Sequence, residues 1–205
     1  MARGAGSIAC AAIVLAWLTP ALAAAPVCDP NAAANENARK LRIAGQLPQA
    51  RDATLAVLKT APNDFRANYT LGLIALDESH NDARQWQAAM DQLRKAATLL
   101  DTRYGACASL GWYSIYNTLG AEYYRVGRNA DALGFYKQAY AHYDTLNTDT
   151  RQKLLRTMGN LYFALGDFKD AQAVSQKAQA EHFPGAAARV SAIAVMQQRA
   201  QPLGK

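Results

Sequence analysis

The chain has 205 residues, of which 51% are hydrophobic and 19% are charged, and its formal net charge is +6. This composition is too apolar for a disordered chain, and 13 Gly with 7 Pro are too few for a collagen-like or linker-like one. The positive charges form no dense stripe of Lys and Arg, so we expect no nucleic-acid partner.

The first residues have the pattern of a secretory signal peptide. A short polar segment, residues 1–7, precedes an apolar run at residues 8–18, which is shorter than the roughly 20 residues that span a bilayer. Small residues at 21–23 suit a signal peptidase, so we expect cleavage after Ala23 and an N-terminal tail over residues 24–30. A membrane anchor that is kept is the alternative, and the short run argues against it. The expected location is periplasmic or secreted, with no membrane span after cleavage.

The predicted cleavage leaves two of the three cysteines, Cys28 and Cys107. An exported protein reaches an oxidising compartment, so these two residues are candidates for a disulfide. Two alternatives stay open from the sequence: a pair of unpaired thiols, or a bond from Cys28 to another chain.

A helical pattern of apolar residues repeats between residues 31 and 180, with a period of about 35 to 40 residues. In the two clearest copies, a Gly is followed at 7, 12, 16 and 19 residues by Gly, Ala, a helix-face residue and Ala. These residues are Gly120, Gly127, Ala132, Tyr136 and Ala139, and then Gly159, Gly166, Ala171, Ser175 and Ala178. Earlier copies are in register around Ala38 and Gly72, the second with about five extra residues within 77–82 that we interpret as a lengthened turn.

This order of an aromatic, a Leu-Gly pair, a Tyr, a turn Gly and then Ala, aromatic and Ala resembles the tetratricopeptide repeat (TPR). With the signal segment, the chain is similar to an exported bacterial member of that family. The resemblance implies an all-α, right-handed solenoid of about four helix-turn-helix repeats with a C-terminal capping helix. The expected repeat domain is 31–185, divided near 31–64, 65–103, 113–146 and 152–185, and the capping helix with its tail is 186–205.

The small residues of the repeat have a packing role. Gly120 and Gly159 lack side chains where the two helices of a pair approach each other. We expect aromatic rings to fill the space beside them, contributed by Tyr123, Tyr136, Tyr162 and Phe168. Two turn glycines are expected at positive φ, and two polar residues are expected to cap the helices that follow: Gly127 and Gly166, Asn129 and Asp167.

The sequence contains no recognisable catalytic constellation. Its three His residues lie in different repeats without ligand spacing, so we expect no metal site. No Gly-rich loop follows a strand, so no phosphate-binding site or cofactor is implied. We therefore predict that the protein is not an enzyme, and an enzyme with an unrecognised helical active site is the alternative from another class.

In the family that the chain resembles, the first helix of each pair lines a concave surface. By alignment this surface would include Arg39, Arg42, Arg66, Tyr69, Asn117, Tyr124, Arg125, Lys153, Arg156, Asn160 and Phe163, with Asn35 and Leu73 beside them. Arg, amide and aromatic side chains together suit an extended and acidic peptide. The alternative is an ordinary solvated helix face.

The resemblance implies a protein-protein interaction module, which in an exported protein is an adaptor or assembly factor for envelope proteins. The alternative is a holdase for an unfolded exported chain, as in the TPR proteins of cytochrome c maturation. A folded partner should depend on the Arg residues of the groove, whereas an unfolded chain should depend on Tyr124 and Phe163. The sequence leaves the oligomeric state open.

Overall fold

The computed structural model describes residues 28–79, 82–104 and 112–200. Over these residues the chain is all-helical, with nine α-helices, a short 3-10 helix at Tyr143–Thr145 and no strand. The α-helices are α1 Ala32–Ile43, α2 Leu47–Thr60, α3 Phe65–Glu78, α4 Ala83–Arg103, α5 Trp112–Arg125, α6 Asn129–Tyr140, α7 Thr148–Ala164, α8 Phe168–Ala180 and α9 Ala186–Ala200. The predicted all-α fold is confirmed. The predicted signal peptide and Cys107 lie outside the described residues.

The helices form four consecutive pairs, α1 with α2, α3 with α4, α5 with α6 and α7 with α8, and α9 packs on α8. Short turns within the pairs make the two helices of each pair antiparallel neighbours. A continuous apolar core runs from Phe65 on α3 to Ile193 on α9. None of the described helices is both long enough and apolar enough to cross a membrane.

Each pair has a small residue on its first helix and a facing position on its second helix, and we call the small residue the notch. The notch residues and their facing residues are Ala38 and Thr54, Gly72 and Leu93, Gly120 and Tyr136, and Gly159 and Ser175, and all eight are buried. A Cβ on Gly72 would lie 2.7 Å from Leu93 Cδ2, which is closer than two carbon atoms approach. The second pair therefore requires glycine at its notch.

The two clearest repeats differ at the notch. A Cβ on Gly120 would lie 2.7 Å from the ring of Tyr136, so the predicted aromatic filling is confirmed there. A Cβ on Gly159 would lie 3.4 Å from Val174 Cγ2 and 3.5 Å from the Ser175 hydroxyl, which is ordinary contact. The prediction of an aromatic ring beside Gly159 is wrong, because the facing residue is Ser175.

The turns inside the first, third and fourth pairs each contain a glycine in the left-handed region. Gly127 and Gly166 both have φ +76°, as predicted, and Asp167 caps α8 by accepting a hydrogen bond from the Asp170 N–H at 3.2 Å. The predicted cap at Asn129 is wrong, because α6 begins at that residue. Arg128 takes the cap position without a side-chain cap bond, and its guanidinium pairs with Asp131 instead.

The extra residues of the second pair are mostly helical. From notch to facing residue, the second pair is five residues longer than the others, which we interpreted from the sequence as a lengthened turn. The third pair, α5 and α6, serves for comparison. Relative to it, α3 continues one residue further after its notch, the turn is one residue longer, and α4 begins three residues further ahead of its facing residue, Leu93. Asp82 allows this early start, because its side chain accepts hydrogen bonds from the N–H groups of Arg84 and Gln85.

The fourth pair also begins earlier than the sequence pattern indicates. We placed its start near residue 152, whereas α7 begins at Thr148. Asn147 sets this boundary, because its side chain accepts a hydrogen bond from the Thr150 N–H at 2.9 Å.

A buried polar network holds the N-terminal end of the described chain against α3. The Asp64 carboxylate accepts hydrogen bonds from the Ala67 N–H at 2.9 Å, from Asn31 Nδ2 at 2.7 Å and from Asn35 Nδ2 at 3.2 Å. Asn35 Nδ2 also donates to Asp29 Oδ1 at 3.1 Å. The residue before Asp29, Cys28, is disulfide-bonded. These bonds fix the position of α1 relative to α3.

Two buried tyrosines each donate a hydrogen bond to a carboxylate on another element. The Tyr116 hydroxyl donates to both oxygens of Asp101 at 2.7 Å, and the Tyr143 hydroxyl donates to Glu181 Oε1 at 2.6 Å. Burial, and then the hydrogen bond to the carboxylate, raises the pKa of each phenol well above its usual value of 10.0. Folding therefore favours the protonated phenols.

We expect an alkaline loss of stability from these two tyrosines. An unfolded tyrosine ionises near pH 10 whereas the folded one stays protonated, so stability that is complete below about pH 10 declines at higher pH. Urea unfolding at about pH 9 and about pH 11 measures the decline. The doubly substituted Tyr116→Phe, Tyr143→Phe protein should lose less stability over this interval than the parent, and an equal loss would contradict the assignment.

Candidate functional site

The predicted groove residues share one face of the first helices. Counted from the notch as zero, they lie at positions −6, −3, +1, +4 and +5 of α1, α3, α5 and α7. Residues three or four apart are neighbours on a helix surface, so these positions form one stripe on each helix. The stripes of successive first helices together make the concave face.

The first part of the concave face is a pocket of about 270 Å³ between α1, α3 and α5. It brings together four of the predicted residues, Arg39, Arg42, Arg66 and Tyr69. Its remaining wall is largely apolar and consists of Phe65, Leu73, Ile43 and Ile115 with Asn35, Glu36 and Thr70. Aliphatic and aromatic groups beneath guanidinium groups form a surface that can hold an apolar side chain and a carboxylate together.

A second pocket of about 420 Å³ continues from the first, and the two share Leu73. It lies between the C-terminal halves of α3 and α5 and contains one predicted residue, Arg125. Its other lining residues are Leu76, Asp77, Ser79, Thr118 and Glu122. The two pockets form one groove, which we call the N-terminal groove.

The floor of the N-terminal groove is braced between two repeats. The Tyr69 hydroxyl on α3 and the Thr118 hydroxyl on α5 are 2.9 Å apart and share a hydrogen bond. Trp86 Nε1 donates to Glu122 Oε2 at 3.0 Å, which connects α4 to α5. A floor that is fixed before binding lowers the entropic cost of ordering a ligand.

Two further predicted residues lie at the other end of the concave face. Asn160 and Phe163 line a pocket of about 180 Å³ that α9 closes from the other side. Four predicted residues line none of these three pockets: Asn117, Tyr124, Lys153 and Arg156. Tyr124 is 53% exposed, so its ring is accessible on the surface.

The sequence predicted a basic and aromatic groove, and the structure pairs most of its basic residues with carboxylates. Five of its six predicted basic residues form ion pairs: Arg39 with Glu36, Arg42 with Asp77, Arg66 with Asp29, Arg125 with Glu122 and Lys153 with Asp149. The hydrogen bond between Arg39 and Glu36 lowers the pKa of the carboxyl group and raises that of the guanidinium. Among the described residues, Arg156 forms no ion pair. Positive and negative side chains therefore alternate along the concave face, and the excess of positive charge lies toward its C-terminal end.

Sequence reasoning missed several residues that line the concave face. Ile115, Thr118 and Glu122 on α5 were not singled out, although Thr118 and Glu122 lie at −2 and +2 from Gly120 and so border the predicted stripe. The contribution of α9 was also missed, because we interpreted that segment only as a cap. Ile193 lies 34 residues after Gly159, a full repeat length, which was a signal for a fifth first helix.

Within the described residues, no group of three or more His, Cys, Asp and Glu residues is placed to hold a metal ion. The tyrosine and carboxylate pairs at Asp101 and Glu181 join helices and line none of the pockets described above. The concave face therefore supplies side chains that can bind a ligand and pockets that can receive it.

Comparison with solved structures places this architecture in a known class. The chain is similar to two crystal structures of a putative kinesin light chain of Podosopora anserina with nearly identical TPR-like repeats, one of them a variant with a single substitution. The TM-score is 0.56 for both, at 15% and 16% sequence identity, over 85% of this chain and 89% and 90% of the others. No family model and no curated protein matches the sequence.

The fold is thus a TPR-like repeat solenoid. Such folds commonly serve as protein-interaction modules and are typically non-catalytic. At these identities the likeness defines the fold alone, so the function of this chain depends on its own concave face.

Proposed function

We propose that the protein is an exported protein-interaction module, an adaptor or assembly factor that binds an extended segment of an envelope protein in its N-terminal groove. The observation that carries this proposal is the pocket between α1, α3 and α5, in which Arg42 and Arg66 border an apolar wall. An extended segment can place an apolar side chain against Phe65 and Leu73 while its acidic side chains reach the guanidinium groups.

The existing ion pairs leave donors available for such a ligand. A guanidinium has five N–H groups, and Arg42 uses Nη1 for Asp77 while Arg66 uses Nη1 for Asp29. Arg39 differs, because its Nε and Nη2 both bind Glu36. The Arg42–Asp77 pair is exposed and contributes at most about 1 kcal/mol, so it orients Arg42 without preventing a second carboxylate from binding.

We expect Arg42→Ala to weaken the binding of acidic peptides by about tenfold or more, because a charge-assisted hydrogen bond contributes roughly 1.5–3 kcal/mol. Peptides would be selected from a random display library on the immobilised protein, and their affinities would be measured by calorimetry. The selected sequences should combine acidic and bulky apolar residues.

The matched variant is Asp77→Ala, which breaks the same ion pair but keeps the guanidinium. If Arg42 binds the ligand, Asp77→Ala should preserve or strengthen binding, and Lys95→Ala on the exposed side of α4 should leave it unchanged. Equal losses in Arg42→Ala and Asp77→Ala would mean that the ion pair has only a structural role. That result, or a failure to enrich any peptide, would refute the groove as the binding site.

The proposed export has its own test. Cys28 is disulfide-bonded, and the next residue, Asp29, shares the Asn35 amide with Asp64. Tyr104 at the end of α4 packs against Phe65, which follows Asp64, at a ring centroid distance of 4.9 Å. The end of α4 is thus close to Cys28 and only three residues before Cys107, which supports a bond between these two cysteines. Peptide mapping of the protein recovered from the periplasm should give an N-terminus at Ala24 and a peptide linking Cys28 to Cys107. An intact N-terminus or free thiols would contradict this proposal.

A holdase function for an unfolded exported chain is favoured by a different observation. Tyr124 and Phe163 both lie at +4 from a notch, Val126 and Leu165 both lie at +6, and all four are exposed. Exposed apolar side chains that recur in this way suit the scattered apolar side chains of an unfolded polypeptide. Binding through them would persist in high salt and would be lost in Tyr124→Ala, Phe163→Ala, whereas binding through Arg42 weakens as salt rises.

A further inference from the structure

The fourth pair has a pocket beside the register at which the third pair holds an aromatic ring. Tyr136 packs against Gly120, but Ser175 occupies the same register opposite Gly159 and is only a small, buried side chain. The pocket of about 180 Å³ lies at this position. It is lined by Gly159, Asn160 and Phe163 of α7, by Ser175 of α8, and by Arg189 and Ile193 of α9.

The size and walls of this pocket suit one aromatic ring. An apolar cavity of about 150 Å³ is large enough to bind benzene in another protein. Phe163 forms one wall, and its ring is held edge-to-face against Phe168 at a centroid distance of 5.3 Å. Ile193 on α9 is 5% exposed and supplies an aliphatic wall. The third pair has the ring of Tyr136 at the matching register, which is a precedent within this chain for a ring beside a notch glycine.

The charge beside the pocket is positive. Arg189 lines the pocket, and Arg156 lies about one helical turn before Asn160 on α7. Neither guanidinium forms an ion pair with any described residue, and the pocket lining contains no Asp or Glu. In the N-terminal groove, by contrast, each guanidinium has a carboxylate partner within the chain. An acidic group of a ligand would therefore be recognised at this end.

We propose that this pocket receives an aromatic side chain of a bound peptide segment, with an acidic side chain next to it in the segment facing Arg189. The inference deepens the proposed function and rests on it, because the segment is the one that lies along the concave face. It adds a specificity site at the C-terminal end, three repeats along the chain from Arg42.

The test uses a defined probe, the N-acetylated and C-amidated hexapeptide Gly-Ser-Phe-Glu-Ser-Gly. Binding to the full chain would be followed by titration with detection of backbone amide NMR signals. We expect the signals of Gly159, Asn160 and Ile193 to shift, and we expect at least about tenfold weaker binding when Phe of the probe is replaced by Ala. Replacing Glu of the probe by Gln should weaken binding and remove most of its salt dependence.

The decisive variant is Ser175→Tyr, which places in the fourth pair the side chain that the third pair has at that register. It should fill the pocket, raise the melting temperature and abolish binding of the probe. Ser191→Tyr makes the same chemical change on the exposed side of α9 and should leave binding unchanged. If Ser175→Tyr fails to fold, Ser175→Leu replaces it, since Leu93 occupies the same register in the second pair.

Several results would overturn the proposal. Unchanged binding of the probe to Ser175→Tyr or Ser175→Leu would show that the ring binds elsewhere. Binding that develops only after residues 201–205 are removed would assign the pocket to the chain's own terminus, and a dimer that the probe dissociates would assign it to a second copy. Because the NMR shifts are resolved by residue, unshifted signals of Gly159, Asn160 and Ile193 would refute the pocket, whereas failure of the N-terminal groove is read separately from the affinities of the selected peptides for Arg42→Ala.

Discussion

Gly120→Ala should destabilise the protein, whereas Gly159→Ala should stabilise it. The two glycines occupy the same notch register in neighbouring repeats, and both lie within helices. Alanine is the better helix former by about 0.5–1 kcal/mol, and this gain applies at both positions. The sign of the net effect therefore depends on what the new methyl group meets.

At Gly120 the methyl carbon would lie 2.7 Å from the ring of Tyr136, whose side chain is only 4% exposed. A buried ring cannot move away without displacing its neighbours, and overpacking of this kind costs about 1–3 kcal/mol. We expect a net loss of about 1–2 kcal/mol after the helix gain is subtracted. At Gly159 the nearest atom is Val174 Cγ2 at 3.4 Å, so the helix gain of about 0.5–1 kcal/mol should remain.

Thermal and urea unfolding of the two single variants measures this difference. For a chain of this size a change of 1 kcal/mol moves the melting temperature by about 2–4 °C, so opposite shifts are resolvable. The control is Gly120→Ala in the Tyr136→Thr background, which reproduces Ala38 and Thr54 of the first pair, and there Gly120→Ala should cost less than it does in the parent. Destabilisation of similar size in both single variants would show that the two notches are equivalent, against the structure.

These glycines also show how far the sequence determines the fold. The register of small residues predicted the helix pairs, because a notch spaced by a repeat length has a packing reason that is visible in the sequence. The sequence did not reveal how tightly each notch is filled, since this depends on whether the facing residue is Tyr136 or Ser175 and on how the helices settle around it. The same limit led to the expectation of a ring beside Gly159.

The sequence predicted which residues lie on the concave face better than it predicted which charges pair there. A stripe at −3, +1 and +4 follows from helix geometry, and it located Arg39, Arg42 and Tyr69 in one pocket. The partners of two of the arginines came from other elements: Asp77 is 35 residues from Arg42, and Asp29 is 37 residues from Arg66. Such pairs depend on the distance between helices that are far apart in sequence, which a single sequence without its packing does not provide.

The second large effect is expected at the N-terminal network, where Asp64→Ala should cost about 3 kcal/mol. Asp64 is 4% exposed and caps α3 through the Ala67 N–H, and loss of a helix cap costs about 0.5–2 kcal/mol. The substitution also removes one of the two carboxylates that accept hydrogen bonds from the buried Asn35 amide, and the N–H group that loses its acceptor costs a further 1–3 kcal/mol, roughly. Urea unfolding of Asp64→Ala measures the sum.

The comparison with Asp82→Ala separates the two contributions. Asp82 caps α4 through two backbone N–H groups but is exposed and serves no buried side chain, so its loss should cost only about 1 kcal/mol.

The buried contribution can also be isolated with Asn35. If Asp64→Ala is costly because it strands the Asn35 amide, then Asn35→Ala, Asp64→Ala should be hardly less stable than Asp64→Ala alone. Additive losses would place the effect in the cap, and the buried network would then contribute little to the position of α1. Because α1 carries Arg42, a network that holds α1 on α3 also holds one wall of the N-terminal groove, so stability and peptide binding should decline together in Asp64→Ala.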